Sequence, residues 1–202
     1  MGLIGIVLAI MAGFAVLVFG VAGYAAKIYN ELIKLQNRYE NMFAQIDVQL
    51  TRRHDLIPNL VETAKGYMSH EKETLEAVVQ ARNQAVSASQ SAVQNPGDPN
   101  AMQQLSSAEG QLNSAIGRLL MVAEDYPDLK ANENMLLIQE ELTATENKVA
   151  YARQGYNDSV TRFNTHRETF PAVLIAGFLG FVEANLLEAT ETERQAPKVS
   201  FD

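Results

Sequence analysis

The sequence predicts an all-α protein in which an N-terminal transmembrane helix continues into an antiparallel bundle of long helices. Three observations predict it: an uncharged apolar stretch of spanning length at the start, apolar residues at spacings of three and four along most of the remainder, and no run of alternating polarity that would make a strand. With 202 residues, 47% of them apolar, the chain can bury a core. The absence of cysteine excludes disulfides, thiolate zinc sites, iron–sulfur ligation and cysteine nucleophiles. A net charge of −8 argues against nucleic acid as a partner, because neutralising phosphates needs clustered Lys and Arg.

The organisation expected is a transmembrane helix over 1–26, a helical bundle over 27–182 and an acidic tail over 183–202. From Leu3 to Ala26 the 24 side chains carry no charge, and the first charged residue is Lys27. At ~1.5 Å per residue they reach roughly 36 Å, against a hydrocarbon core of about 30 Å. Twelve of the 24 are Leu, Ile, Val or Phe, worth roughly −4 to −7 kcal/mol together on the insertion scale. Gly23, Tyr24, Ala25 and Ala26 offer a small-residue cleavage site, the rival reading of a signal peptide. No Lys or Arg precedes the run, however, and it exceeds the usual apolar region of about 7 to 15 residues. Positive charge follows at Lys27, Lys34 and Arg38, offset in part by Glu31 and Glu40, so the positive-inside rule places the N-terminus outside and the bundle in the cytoplasm. Gly5, Ala9 and Gly13 put three small residues on one helical face, a candidate oligomer contact in the membrane.

Beyond the span a seam of Ile28, Leu32, Leu35, Tyr39, Met42, Ile46 and Leu50 reads as one helix continuing from bilayer into water without Pro or Gly. Pro58 cannot donate to the His54 carbonyl and biases Ile57 away from helical angles, so a kink or short break is expected there. The seam resumes at Leu60, Ala64, Met68, Leu75, Val78 and Ala85, and Asn95 to Pro99 form a loop tip. A heptad-like helix follows from about Asn100, with Leu105, Leu112, Leu119 and Tyr126, and closes at Pro127. A last long helix carries Met135, Ile138, Leu142, Val149, Ala152, Tyr156, Val160 and Phe163 and ends near Thr169. Phe170 to Val182 is uncharged but only 13 residues long, too short for the ~17 to 25 that a span needs. It caps the bundle, lies in the bilayer interface or meets a partner. The tail from Glu183, with Glu188, Glu191 and Glu193, reads as helical at first and then loose.

No catalytic, cofactor-binding or metal-binding set stands out. His54, His70 and His166 lack ligand spacing, and no G-x-S-x-G turn or Gly-rich phosphate loop is present. Glu124, Asp125, Asp128 and Glu133 read as an acidic capping turn around Pro127 rather than a calcium loop. Asp47, Arg52, Arg53, His54 and Asp55 bracket Pro58 in the most unusual composition outside the apolar stretch. They read first as a solvated bend held by ion pairs of about 0 to 1 kcal/mol each, and second as a docking surface for a protein partner.

Four stretches resemble the bacterial LemA family. They are QIDVQLTRRHDLIPNLVETAKGYMSHE (45–71), GRLLMVAEDYPDLKANENMLLIQEELTATENKVAYARQGYNDSV (117–160), FNTHRETFPAVLIAGFLGF (163–181) and the ending APKVSF (196–201), with mild departures at Thr51 and Met68. The resemblance implies a single-pass bacterial inner-membrane protein with a four-helix cytoplasmic bundle, and it carries over no catalytic residue or cofactor. A related branch associated with magnetosome membranes implies a role in organising membranes. The expectation is a non-enzymatic scaffold that touches the lipid bilayer and forms a homo-oligomer. The alternative is an adaptor for a membrane peptidase or an envelope-stress partner.

Overall fold

The computed structural model describes residues 2–188. Six helices and no strand lie among them: α1 (Leu3–Lys65), α2 (Lys72–Gln94), α3 (Pro99–Ala123), α4 (Pro127–Lys130), α5 (Glu133–Glu168) and α6 (Ala172–Leu179). The long ones, α1, α2, α3 and α5, form the bundle, with α1 packed on α2 and α5, and α2 on α3. The ending APKVSF and the tail residues Glu191 and Glu193 lie outside the described residues.

Direction follows from the cross-helix contacts. On α2, Ser89 bonds Asp47 and Arg82 bonds the His54 carbonyl, so α2 runs antiparallel to α1. On α5, Glu141 meets Arg52 and Tyr156 stacks edge-on against Phe43, so α5 also returns toward the start of α1. Buried side chains along α1 recur at Ile28, Leu32, Tyr39, Ile46, Leu50 and Leu60 of the seam read from the sequence, joined by Phe43 and Ile57, which that reading left out, while Leu35 and Met42 of the seam are only partly buried. Tyr39, Phe43, Tyr156 and Phe163 form its aromatic centre, with ring centroids 5.3 to 6.3 Å apart, at edge-to-face angles that favour each quadrupole. Burial, with the Glu40 carboxylate beside it, pushes the Tyr39 phenol up to about 12. Burial, and then the neighbouring Tyr39, raises that of Tyr156 further.

The break expected at Pro58 is absent. α1 continues through it to Lys65, and Pro58 sits on the exposed side. The bond it cannot make is supplied from outside the helix: Arg82 Nε donates to the His54 carbonyl at 3.2 Å. The chain turns instead at 66–71, a segment the sequence reading had kept inside one continuous seam. Met68 is buried there as the plug of the turn, and for that reason it had looked like one more seam residue. The expected start of α3 near Asn100 and end of α5 near Thr169 hold. Asp98 caps α3 by accepting from the Ala101 N–H at 2.9 Å, and Asn132 caps α5 by accepting from the Met135 N–H at 3.1 Å. α3 itself stops at Ala123, and Tyr126 and Pro127, read as its last turn, open α4 instead.

After α6 the chain is extended rather than helical, and residues 181–188 climb back along α5. Asn164 and Asn157 each hold this segment by two bonds. Asn164 accepts from the Ala184 N–H at 3.0 Å and donates to its carbonyl at 2.8 Å. Asn157 does the same for Leu187, at 2.9 and 3.1 Å. Seven helical residues rise ~10.5 Å, and three extended ones span about 10 Å, so the two ladders match in pitch. The first part of the expected acidic tail is therefore part of the bundle, with Ala184 and Leu187 buried. Gly97 adopts φ 88° where its carbonyl accepts from the Asn185 N–H at 2.9 Å. A Cβ at Gly97 would stand 3.0 Å from that of Ala184, which leaves room for glycine alone.

Candidate functional site: a buried charge cluster and an exposed apolar stem

Successive helical residues point about 100° apart, so the adjacent charges of α1 cannot share one direction. The structure distributes them among three neighbouring helices. Arg52, exposed, reaches α5 and meets Glu141 at 2.8 Å. Arg53 and His54 point into the bundle and converge on Glu109 of α3: the Arg53 guanidinium donates to one carboxylate oxygen and His54 Nε2 lies 2.7 Å from the other. Asp55 stands 3.9 Å from the Arg82 guanidinium of α2, and Asp47 accepts from the Ser89 hydroxyl at 3.0 Å.

The reading of a solvated bend is therefore corrected. Arg53 and His54 are 4% and 3% exposed, and only Arg52, Asp55 and Pro58 keep the exposure that a docking surface needs. The reason is register. Positions 53 and 54 fall between the seam residues Leu50 and Ile57, so the helix must carry them inward. Glu109, missed in the sequence, lies four residues after Leu105 and three before Leu112, on the inward side of α3. A charge standing in an apolar seam was the available signal on both helices.

Interior ion pairs are costly to desolvate, and each needs its partner to remain charged. The Glu109 carboxylate is shared by two donors, and its side chain is 12% exposed. The adjoining cavity, lined by Leu50, Arg53, Leu105, Glu109 and Leu187 among others, holds about 30 Å³. A water needs ~10 to 15 Å³ of such space, so a substrate does not fit. What this arrangement does is lock the rotation of α1 against α3. A wider open cleft of about 680 Å³ lies between α3, α5 and the returning segment, lined by Gln103, Ser106, Thr161, Asn164 and Glu183 among others. Its lining includes no imidazole to activate a hydroxyl, and the Ser106 hydroxyl is given to the Glu188 carbonyl at 3.3 Å.

The other candidate residues lie at the opposite end of α1. Positions 4–24 are all exposed, and this part of α1 is the one stretch among the described residues long and apolar enough to cross a membrane. Gly5, Ala9 and Gly13 lie on it in open space, and a Cβ added at Gly5 or Gly13 meets nothing within 4 Å. Among the described residues the structure brings these three together with no other element.

The LemA family model matches residues 42–201, a stretch that contains Arg53, His54, Glu109, Asn157 and Asn164 and excludes Gly5, Ala9 and Gly13. Protein LemA of Metamycoplasma hominis is 28% identical over 165 residues, covering 82% of this chain and 71% of its own length. Magnetosome protein MamQ 2 of Paramagnetospirillum magneticum is 23% identical over 175 residues, covering 79% of this chain and 64% of its own. Magnetosome protein MamQ of Magnetospirillum gryphiswaldense is 23% identical over 168 residues, covering 76% and 62%. The chain thus spans less than two thirds of the length of these two magnetosome proteins. Together with the exposed apolar start of α1, the matches describe a membrane-associated helical protein. Because the family model covers most of its length, the chain belongs to the LemA family.

Proposed function

We propose that this protein is a non-enzymatic, membrane-anchored helical scaffold that self-associates. In this reading residues 3–26 of α1 cross the bacterial inner membrane with the N-terminus outside, and the bundle stands in the cytoplasm on the same helix. The observation that carries it is the unbroken run of α1 from Leu3 to Lys65. The part of that helix from Ile28 onward is clamped into the bundle, and the part up to Tyr24 has no partner among the described residues. A joint of this kind transmits the position of one end to the other. Self-association is assigned to the face of Gly5, Ala9 and Gly13, where small residues permit close backbone approach in lipid. The adaptor alternative loses its two central residues, since Arg53 and His54 are committed to Glu109.

The test is the mass of the full-length protein extracted in mild detergent. The expected result is a multiple of 22.2 kDa, reduced toward one copy when Gly5→Leu and Gly13→Leu are combined, with the bundle's melting unchanged. A single copy at every concentration overturns the proposal.

A further inference from the structure

α6 inverts the ordinary pattern of a capping helix. Toward the bundle it presents Ala172 and Ala176, which are 3% and 1% exposed, with Ile175 partly buried beside them, while Leu174 and Phe178 on the other side are 66% and 90% exposed. Phe170 and Val182, just beyond its ends, are 76% and 77% exposed as well. A helix that merely closed a core would turn those groups inward. No charged side chain occurs between Phe170 and Val182.

Its position supplies the occupant. α6 packs on α1 and α5, and at its end Phe181 stacks edge-on against Tyr29 with ring centroids 5.8 Å apart. Tyr29 lies three residues, or ~4.5 Å of helix, beyond Ala26, the last residue of the uncharged run. The exposed apolar side therefore stands at the level where α1 leaves the bilayer, beside Lys27 and the rings of Tyr24 and Tyr29, residue types that settle at the headgroup boundary. Gly180, in the left-handed region at φ 77°, ends the helix there and turns the chain back toward α5.

We infer that α6 is a second membrane contact: it lies along the lipid interface with Leu174 and Phe178 among the acyl chains, so that the bundle meets the bilayer at two points. This rests on the anchored reading of α1 proposed above. Interfacial helices place their apolar side about 5 to 10 Å into the boundary region, and Phe178, 90% exposed, is free of the bundle to enter it.

The chain has no tryptophan, so Phe178→Trp gives a single reporter in the full-length protein. Tyr151→Trp is the control, at an 81% exposed site on α5 that shares a surface groove with Val48, ~33 Å of helix beyond Ala26. Both proteins are reconstituted into phosphatidylcholine and phosphatidylglycerol vesicles whose acyl chains carry bromine, and flotation first establishes that they are bound. The expected result is a blue-shifted Phe178→Trp emission quenched by about half, as for an indole at interfacial depth, with Tyr151→Trp unquenched. Flotation with both reporters equally unquenched overturns the contact and leaves the anchor standing. A blue-shifted but unquenched Phe178→Trp places a protein surface on α6 and overturns the lipid assignment. Failure to float overturns the anchor and the contact with it.

Discussion

The two halves of α1 are one helix in two solvents. Up to Tyr24 every described side chain is exposed, whereas from Ile28 onward the same helix buries a side chain on nearly every turn. The apolar half carries no polar obligation and needs only a medium as apolar as itself. The other half carries Arg53 and His54, side chains that a helix in lipid would hardly tolerate, and Pro58. Glu109 meets the Arg53 guanidinium and the His54 ring, Arg82 takes up the carbonyl that Pro58 leaves free, and the Arg53 Nε alone among these groups stays buried without a partner. Stability in the second half is thus specific and can be removed residue by residue, while that of the first half is a property of the surroundings.

The sharpest way to break this contrast is Glu109→Ala. It leaves the Arg53 guanidinium buried without its carboxylate, a change of the kind that costs about 3 to 5 kcal/mol. Urea unfolding of the detergent-solubilised protein should show that loss, whereas Gly13→Leu should leave the same curve unmoved. A cost near zero would mean that the charges are hydrated and the helix interface loose.

A smaller effect sharpens the account of Pro58. Arg82→Met strands the His54 carbonyl and should cost about 1 to 2 kcal/mol. In a Pro58→Ala background the backbone N–H returns, and the same Arg82→Met change should cost less than half as much. Equal costs in the two backgrounds would show that Arg82 acts only through Asp55.

The effect confined to the narrowest conditions is on pH dependence, absent at neutral pH, and it belongs to the clamped part of the helix alone. The Tyr39 phenol is held at about 12 in the folded protein, against about 10 when unfolded. Between these values the unfolded chain has released its proton and the folded one has not. Stability is therefore flat in this respect below pH ~10 and declines as the pH rises toward 12. Tyr156 deepens the decline in the same direction. Absorbance titration should find Tyr39 and Tyr156 ionising at higher pH in the folded protein than in the unfolded chain, and Tyr39→Phe should flatten the alkaline limb.

Helices α3 and α5 were legible in the sequence because seam spacing, capping residues and breakers agree there. The turn at 66–71 was not, because Met68 carries on the apolar rhythm through a segment that is no longer helical. Pro58 misled for a different reason: local chemistry forbids its hydrogen bond, and the remedy comes from residue 82, which only the folded arrangement brings near. The same holds for the buried cluster. The charges on α1 were visible, but their partner Glu109 lies 55 positions from His54, and no local pattern joins them. Residues 181–188 have no periodicity of their own, since Asn157 and Asn164 hold them by their main chain.

That main-chain grip has a consequence for how the molecule can diverge. Asparagine amides that bind peptide groups do not distinguish one amino acid from another, so the grip at 184 and 187 reads no side chain, and Asn185 too is held by its main chain, between Tyr156 and Gly97. The constraint falls instead on the pair Gly97 and Ala184, where two backbones pass within 3.4 Å of an added carbon. A new family member could rewrite the exposed positions of this closing segment and still fasten it, provided those two positions stayed small and position 187 stayed apolar.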